Sequence, residues 1–264
     1  MFVSAVDAKG EPVEGLGPAD FVIREDGAAR EVLRVSHATE PIDIAILVDD
    51  SAASEGVIPR VREALTSFIR TTSKGNQISI VGLADRPTIL ANYTANTKLL
   101  QDAIGLLWPR TRAGSTLLDA IYEVSRGMEK RDTPRAVIVA VITDGGDFAN
   151  RQYKQVMDEV KQAGAAIHAI TVGDFGATDD EELRNRARVL SEGTRTSGGQ
   201  RVNLLTPMSV QQTLERLGRE LTAQYKVVYG RPESLIPPEK IEVSARRPGV
   251  IMRGTLERGT GTTK

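Results

Sequence analysis

The 264-residue sequence contains no cysteine. This absence excludes disulfide bonds, thiolate metal sites and cysteine nucleophiles together, although it does not indicate a cellular compartment. Aromatic residues make up only 4% of the chain, so a platform for stacking bases is not expected. The formal net charge is −1, which favours neither a phosphate backbone nor an anionic membrane surface. We therefore expect no nucleic-acid partner.

Long apolar runs are also missing. No stretch of about 18 apolar residues occurs, so neither a transmembrane helix nor direct membrane insertion is expected. Residues 1–30 show no basic segment followed by an apolar one, so no signal peptide is visible. The two histidines, His37 and His168, are far apart, which gives no support to a zinc cluster or a Ser–His–Asp arrangement.

Residues 42–224 alternate between strand and helix patterns, which predicts an α/β domain. Strands are predicted at 43–49, 77–84, 88–93, 136–143, 165–172 and 201–205, and helices near 57–71, 96–107, 115–129, 151–163, 181–190 and 207–224. This alternation favours a doubly wound, mostly parallel six-stranded sheet in the order 3-2-1-4-5-6, with helices on both faces. The linker 85–87 is too short for a crossover helix, so one edge strand should be antiparallel.

The two ends of the chain return to strand patterns. Strands are predicted at 2–6, 21–24, 32–35, 226–229, 240–245 and 250–256, with the last two pairing across the turn 247–249. Neither end is long enough to bury a core alone. We therefore predict that residues 1–40 and 225–258 form one small β-sandwich-like domain, and that the polar tail 259–264 is flexible.

Two of the predicted buried strands end in oxygen-bearing side chains. The apolar run 44–48 is followed by Asp49, and the run 136–142 leads to Asp144. In the predicted order these strands are neighbours at the switch point, so both aspartates should lie at the same edge of the sheet. Carboxylate and hydroxyl oxygens are the ligands that Mg²⁺ and Ca²⁺ prefer. The sequence therefore predicts a cation site at this edge.

Over residues 42–224 the pattern resembles a von Willebrand factor type A domain. In that family a metal-ion-dependent adhesion site takes oxygens from an Asp-x-Ser-x-Ser segment, a loop threonine and a later aspartate. Asp49 and Ser51 match the first segment, Thr116 in AGSTL matches the threonine, and Asp144 in TDGG matches the aspartate. The resemblance implies that these residues bind Mg²⁺, Mn²⁺ or Ca²⁺ and that a carboxylate of a partner protein completes the metal's coordination.

The flanking segments carry a second resemblance. The stretches at 6–13 (VDAKGEPV), 20–27 (DFVIREDG) and 224–229 (QYKVVY) resemble those around the A domain in a bacterial group of VWFA-related proteins. This resemblance implies a bacterial protein that is secreted or held in the cell envelope, although the residues themselves indicate no compartment.

The chain departs from the family pattern at the second serine, where it has Ala53. Alanine offers no oxygen, so we expect weaker or more selective metal binding, with water replacing the missing hydroxyl. The alternative is a degenerate site that keeps the fold and binds partners without metal. Further candidates for partner contacts are Asp50, Ser54, Ser115 and Asp147. Asp50 could also belong to a phosphoryl-accepting pocket, but a helix-capping or solvent-facing carboxylate is favoured.

Three functions remain open from the sequence. The leading one is a non-enzymatic protein-binding or adhesion module that coordinates an acidic side chain of its partner through a divalent cation. The second is a metal-independent scaffold or assembly protein of the cell envelope. The third is a metal-dependent hydrolase or phosphotransferase, which has carboxylates but no evident base, and no evident nucleophile beyond Ser51.

Overall fold

The structure is a computed structural model, which describes residues 1–173, 181–231, 238 and 240–255. The strands are β1 (Phe2–Val6), β2 (Phe21–Glu25), β3 (Ala28–Arg30), β4 (Val32–His37), β5 (Ile42–Val48), β6 (Gln77–Gly82), β7 (Thr88–Thr94), β8 (Arg135–Thr143), β9 (Ala166–Val172), β10 (Gln200–Leu204), β11 (Tyr225–Tyr229), β12 (Ile241–Ala245) and β13 (Ile251–Thr255). The helices are α1 (Ile58–Thr72), α2 (Thr97–Gly105), α3 (Leu117–Arg131), α4 (Tyr153–Ala163), α5 (Glu181–Arg188), α6 (Thr194–Thr196) and α7 (Val210–Thr222).

A six-stranded sheet forms the centre of the protein, in the order β10-β9-β8-β5-β6-β7. This is the predicted order 3-2-1-4-5-6 read from the opposite edge. Neighbouring strands are parallel except β6 and β7, which are antiparallel as their short connection requires. The fold class and the antiparallel edge strand are therefore confirmed, and each predicted strand of this sheet lies within two residues of its observed bounds.

The two central strands, β5 and β8, are buried along their whole length, because helices cover both faces of the sheet. Ile44 and Ile46 belong to a core shared with α1, α2 and α7. Ala45 and Leu47 point to the opposite face and belong to a core shared with α3 and α4. Side chains alternate along the strand, so one apolar run supplies both cores and brings the strand ends to a common edge.

Strands from the two ends of the chain form two further sheets, in the orders β13-β1-β11-β4 and β12-β2-β3. Phe21 and Ile23 from one sheet and Val3, Val227 and Met252 from the other share a third core. Both termini therefore contribute to antiparallel sheets, as predicted. The division of the chain into domains at 1–40, 42–224 and 225–258 stays a prediction, and the tail 259–264 lies outside the described residues.

The predicted pairing of the strands near 240–245 and 250–256 is wrong. β12 pairs with β2, and β13 pairs with β1 in the other sheet. The turn at 247–249 carries the chain from one sheet to the other, and Gly254 lies close to the Val243 side chain. In this arrangement Met252 of β13 and the side chains of Ile241 and Val243 of β12 pack in the core that the two sheets share.

Two local features escaped the sequence patterns. The short strand β3 pairs with β2, but its residues are polar or small and partly exposed, so no alternation marks it. After α5 the chain continues through a π-helical turn, Val189–Gly193, into α6, where one continuous helix to residue 190 was predicted. No helix among the described residues has the length and apolar character needed to cross a membrane.

The amino ends of β5 and β8 carry Asp43 and Arg135, and both side chains form several hydrogen bonds. Asp43 accepts hydrogen bonds of 2.7 Å from Arg131 Nε and from the Thr133 hydroxyl. Arg135 donates to the carbonyl oxygens of residues 40 and 221 at 2.8 Å and to Gln224 Oε1 at 2.7 Å. The Gln224 amide in turn donates to the Ser4 hydroxyl in β1.

Candidate functional site

Asp49 and Asp144 follow the two neighbouring central strands at the same edge of the main sheet. Val48 of β5 lies opposite Val141 of β8, and the Asp49 amide donates to the Val141 carbonyl at 2.9 Å. Two apolar strands in parallel register therefore bring both aspartates to the carboxyl edge, as the sequence predicts. In open α/β sheets this is the edge that binds ligands.

The Asp49 carboxylate is held tightly from inside the protein. Its Oδ1 accepts the Ser51 amide at 3.0 Å, and its Oδ2 accepts both the amide, at 3.1 Å, and the hydroxyl of Thr143. The residue is only 2% exposed. A carboxylate has about four lone-pair positions, so these bonds orient the group and leave acceptor capacity for a cation.

The loop that carries Thr116 lies beside the loop that follows β5. The Ala52 amide donates to the Ala113 carbonyl at 3.2 Å, and the Arg110 amide donates to the Asp50 carbonyl at 2.9 Å. Thr116 itself donates its hydroxyl hydrogen to the Leu83 carbonyl at 2.7 Å. Because the proton points inward, the lone pairs of this hydroxyl remain available, which is the state that a metal-binding threonine needs.

A third loop, residues 144–150, completes the arrangement around the edge. The Ser115 amide donates to the Gly146 carbonyl at 3.2 Å, and the Phe148 amide donates to the Ser115 carbonyl at 2.8 Å. Gly145 lies against Ala53, whose Cβ would be 2.5 Å from a Cβ added at the glycine. The loops after β5 and β8 and the loop before α3 therefore contact one another in pairs.

Asp144 is less enclosed than Asp49. Its side chain is exposed and lies against Gly173, the residue that follows β9. A Cβ at Gly173 would be 2.6 Å from the Asp144 carboxylate, and Gly173 has a φ of +119°, a conformation that favours glycine. The structure thus gathers Asp49, Ser51 and Thr116 at the switch point and sets Asp144 at the same edge, toward the next strand.

Asp50 is neither solvent-facing nor a helix cap, in contrast to the favoured sequence interpretation. It is completely buried, and its Oδ1 accepts the amides of Leu83 and Ala84, both at 2.8 Å. Its Oδ2 lies 3.5 Å from Arg110 Nε. Gly82 makes room for this carboxylate, because a Cβ there would be 2.8 Å from Oδ2. Asp50 therefore links the ends of β5 and β6.

The other candidates for partner contacts are also below the surface. Ser54 and Ser115 are buried, and the Ser54 hydroxyl donates to the Ser51 carbonyl at 2.7 Å. Asp147 is 3% exposed, and its Oδ1 accepts the Ala149 amide at 3.1 Å. These side chains shape the loops from inside.

Asp147 and Arg186 form a second charged feature below this edge. Arg186, from α5, is 5% exposed and donates through Nη1 to the Gly145 carbonyl at 2.6 Å. Its Nε lies 4.0 Å from Asp147 Oδ2. Within the described part of the chain, that oxygen accepts no hydrogen bond.

Burial has the largest effect on the pKa of Asp147. It raises the pKa of this carboxyl to about 7, and the opposing effects of Arg186 and of the Ala149 amide are smaller. A separation of 4.0 Å is at the limit of an ion pair, so the arginine does not offset the lost solvation. Burial also lowers the pKa of Arg186, while Asp147, Asp49 and Asp144 raise it. The charges at this edge therefore act on one another.

No pattern in the sequence indicates the position of Arg186 or the contact between Thr143 and Asp49. Arg186 lies in a helix whose other charged residues are exposed, and its proximity to the edge depends on tertiary packing. Thr143 belongs to the TDGG motif, but the resemblance assigns a metal-binding role only to its neighbour Asp144.

A divalent cation fits the donor set at this edge, provided that hydroxyls and water complete its coordination. Among the described residues, no three acidic or histidine side chains come together as a ready metal cluster. Asp49, Ser51, Thr116 and Asp144 instead combine carboxylate and hydroxyl oxygens, which is chemistry suited to Mg²⁺, Mn²⁺ or Ca²⁺. Ala53 lacks the oxygen of the family's second serine, and it packs against Gly145 of the neighbouring loop.

Comparisons with known proteins agree with this architecture. The family model for the von Willebrand factor type A domain matches residues 43–195. A solved structure of a von Willebrand factor type A protein from Catenulispora acidiphila has a TM-score of 0.55 at 15% identity, covering 80% of this chain and 51% of that one. Proximal thread matrix protein 1 from the mussel byssus has a TM-score of 0.55 at 16% identity, covering 75% and 50%.

An aerotolerance-related membrane protein from Bacteroides fragilis has a TM-score of 0.51 at 14% identity, covering 68% of this chain and 99% of that one. At these identities the likeness shows the fold alone. The alignments span about half the length of the first two structures. No curated protein matches the sequence significantly.

Proposed function

The chain belongs to the von Willebrand factor type A family, and we propose that it is a non-enzymatic binding module that uses a divalent cation to hold a carboxylate of a partner protein. Domains of this family generally mediate protein–protein interaction. Asp49, Ser51 and Thr116 would hold the cation directly, and Asp144 directly or through water. When bound, the cation supplies an electron-poor centre that can accept one more oxygen ligand.

One observation carries the proposal. At the carboxyl edge the Asp49 carboxylate and the Thr116 hydroxyl are both oriented from inside, by Thr143 and by the Leu83 carbonyl. Asp49 accepts hydrogen bonds from Thr143, whereas Thr116 donates its hydroxyl proton to a carbonyl. Both side chains therefore keep oxygen lone pairs that can bind a cation. An oriented set of acceptors with few charges suits a cation that keeps affinity for an external carboxylate.

Calorimetric titration of the protein with Mn²⁺, Mg²⁺ and Ca²⁺ tests the first step. We expect binding in wild type and its loss in Asp49→Asn, which keeps the shape of the side chain and removes its charge. Asp102→Asn is the matched control, because Asp102 is an exposed aspartate on α2. Absence of binding by wild type, or equal binding by Asp49→Asn, would contradict the metal site.

The relaxation of water protons by protein-bound Mn²⁺ tests the second step, which is the binding of an external carboxylate to the bound cation. Acetate is a suitable probe, since its carboxylate imitates an acidic side chain. If acetate enters the coordination shell, it displaces water and lowers the relaxivity of the bound ion. Free Mn²⁺ at the same acetate concentration is the control for direct binding of acetate to the unbound ion, and an unchanged relaxivity of the complex would show that no carboxylate is accepted.

A second function, a metal-independent scaffold or assembly protein of the cell envelope, is favoured by Ala53 and by the positive charge of Arg186 near the edge. In this alternative the fold and its surface bind the partner, and the edge is a degenerate site. Binding of a partner at full strength in the presence of EDTA would select it. Loss of that binding in EDTA, restored by Mn²⁺, would select the metal-dependent function.

A further inference from the structure

We propose that Arg186 is a built-in cation of the carboxyl edge, whose positive charge lowers the affinity of this edge for a divalent ion. The proposal concerns the regulation of the site described above and rests on the proposed function. In this proposal Arg186 acts on the metal site through its charge and through its contact with the loop, and it need not touch the metal or the partner.

The burial of Arg186 distinguishes it from the other cations of its helix. Arg184 and Arg188 on α5 are exposed, and Arg188 pairs with Glu192 in solvent. Arg186 takes an inward position on the same helix and is 5% exposed. Removing a guanidinium from water is costly unless acceptors or opposite charges surround it, so its position indicates that the loop and its carboxylates stabilise it there.

The contacts of Arg186 join it to the loop that leads away from Asp144. Its Nη1 donates to the carbonyl of Gly145, the next residue, at 2.6 Å, and its Nε lies 4.0 Å from Asp147. The fields of Asp49 and Asp144 also reach the guanidinium. The carboxylates that would attract a divalent ion therefore already interact with an internal positive charge.

This charge is permanent under ordinary conditions, because an arginine does not lose its proton in proteins at neutral pH. A divalent ion that binds at the edge must approach a buried positive charge in a region of low solvent screening. In such a region one unit charge changes the affinity for an ion by about tenfold or more. The arginine thus adds to the effect of Ala53, and both keep the affinity for metal low.

The test compares the Mn²⁺ affinity of charge variants by calorimetry. Arg186→Met removes the charge and keeps an apolar stem, and we expect it to bind Mn²⁺ about tenfold more tightly than wild type. Arg186→Lys keeps the charge and should remain within about threefold of wild type on the same argument. Arg184→Met is the matched control on the exposed face of the same helix and should leave the affinity unchanged.

A structural role alone predicts a different pattern. If Arg186 served only to brace the loop, both the Met and the Lys variants would weaken Mn²⁺ binding, and that result would overturn the proposal. An unchanged affinity in Arg186→Met would overturn it as well. If Arg186→Met fails to fold in urea titrations, Arg186→Gln replaces it, because its amide can still donate to the Gly145 carbonyl while carrying no charge.

The outcomes separate this inference from the proposed function. If wild type binds no Mn²⁺ but the neutral variants do, the arginine has the proposed effect and the metal-dependent function of wild type fails. If wild type binds Mn²⁺ and the neutral variants bind it equally, the function stands and the inference is overturned. If no variant binds Mn²⁺, both fail.

Discussion

The two ends of strands β5 and β8 carry similar residues in different electrostatic surroundings. At the amino end Asp43 accepts two hydrogen bonds of 2.7 Å, and Arg135 donates to three acceptors. At the carboxyl end the Asp147 carboxylate lies 4.0 Å from Arg186 Nε. The amino end is closed by the terminal sheets, so its charges serve stability. The carboxyl end is bordered by loops, and the described residues compensate its buried Asp147 carboxylate only in part.

The largest effect on stability is expected at the amino end, in Arg135→Met. This substitution leaves Gln224 Oε1 and two backbone carbonyls without their buried donor, so we expect a loss of about 3–5 kcal/mol in the free energy of unfolding. Urea denaturation measures it. Arg60→Met, which breaks an exposed ion pair with Glu63, is the control and should cost at most about 1 kcal/mol. A loss of less than about 1 kcal/mol in Arg135→Met would show that the charged residues of the amino end contribute no more to stability than an exposed ion pair.

The next largest effect is expected in the pH dependence of stability, through Asp147 at the carboxyl end of the strands. The pKa of Asp147 is raised to about 7 in the folded protein, above the ordinary value of 3.8. The folded state therefore holds a proton that the unfolded state releases, and stability from this group falls as the pH rises from about 4 to 7. Asp147→Asn removes this dependence. Relative to the variant, metal-free wild type should lose roughly 2–4 kcal/mol across that window.

Urea denaturation of both proteins in EDTA at a series of pH values measures this difference. Asp102→Asn provides the control, since Asp102 is exposed and should give a profile parallel to wild type. Parallel profiles for wild type and Asp147→Asn would mean that the buried carboxylate is ionised throughout and that Arg186 compensates it fully.

The smallest effect is expected from restoring the second serine. Ala53→Ser adds a hydroxyl to the loop after β5, and one additional neutral oxygen ligand should tighten Mn²⁺ binding by about fivefold, or roughly 1 kcal/mol. Ala52→Ser is the matched control, because Ala52 is the exposed neighbour in the same short turn. Titration calorimetry compares the two. Equal affinities would indicate that the packing of residue 53 on Gly145 keeps this side chain away from the cation.

Much of the main sheet could be predicted because its signals are local. The apolar runs of β5 and β8 and the short connection between β6 and β7 specify strand positions and the antiparallel edge. The partners of β12 and β13 could not be predicted in this way. The first of these strands alternates strictly and both flank a tight turn, but the choice between a hairpin and two facing sheets depends on residues more than 200 positions away, at the other end of the chain.

The candidate site also combines features that local sequence predicts with features that depend on tertiary contacts. Asp49, Ser51, Thr116 and Asp144 are recognisable by motif, and the strand order places both aspartates at one edge. The orientation of Asp50 is different: it turns inward because the amides of Leu83 and Ala84 are available after β6. No pattern in residues 43–54 contains that information.

For the six-stranded sheet, the sequence alone determined which segments are strands, in what order they lie and where their carboxyl ends meet, since hydrophobic periodicity and connection length are properties of neighbouring residues. Only the tertiary structure decided how each charge at that edge is compensated. Arg186 reaches Gly145 and Asp147 from a helix some 40 residues further along the chain. Electrostatic interactions depend on distance and burial in space, and these are established only when the helices pack on the sheet.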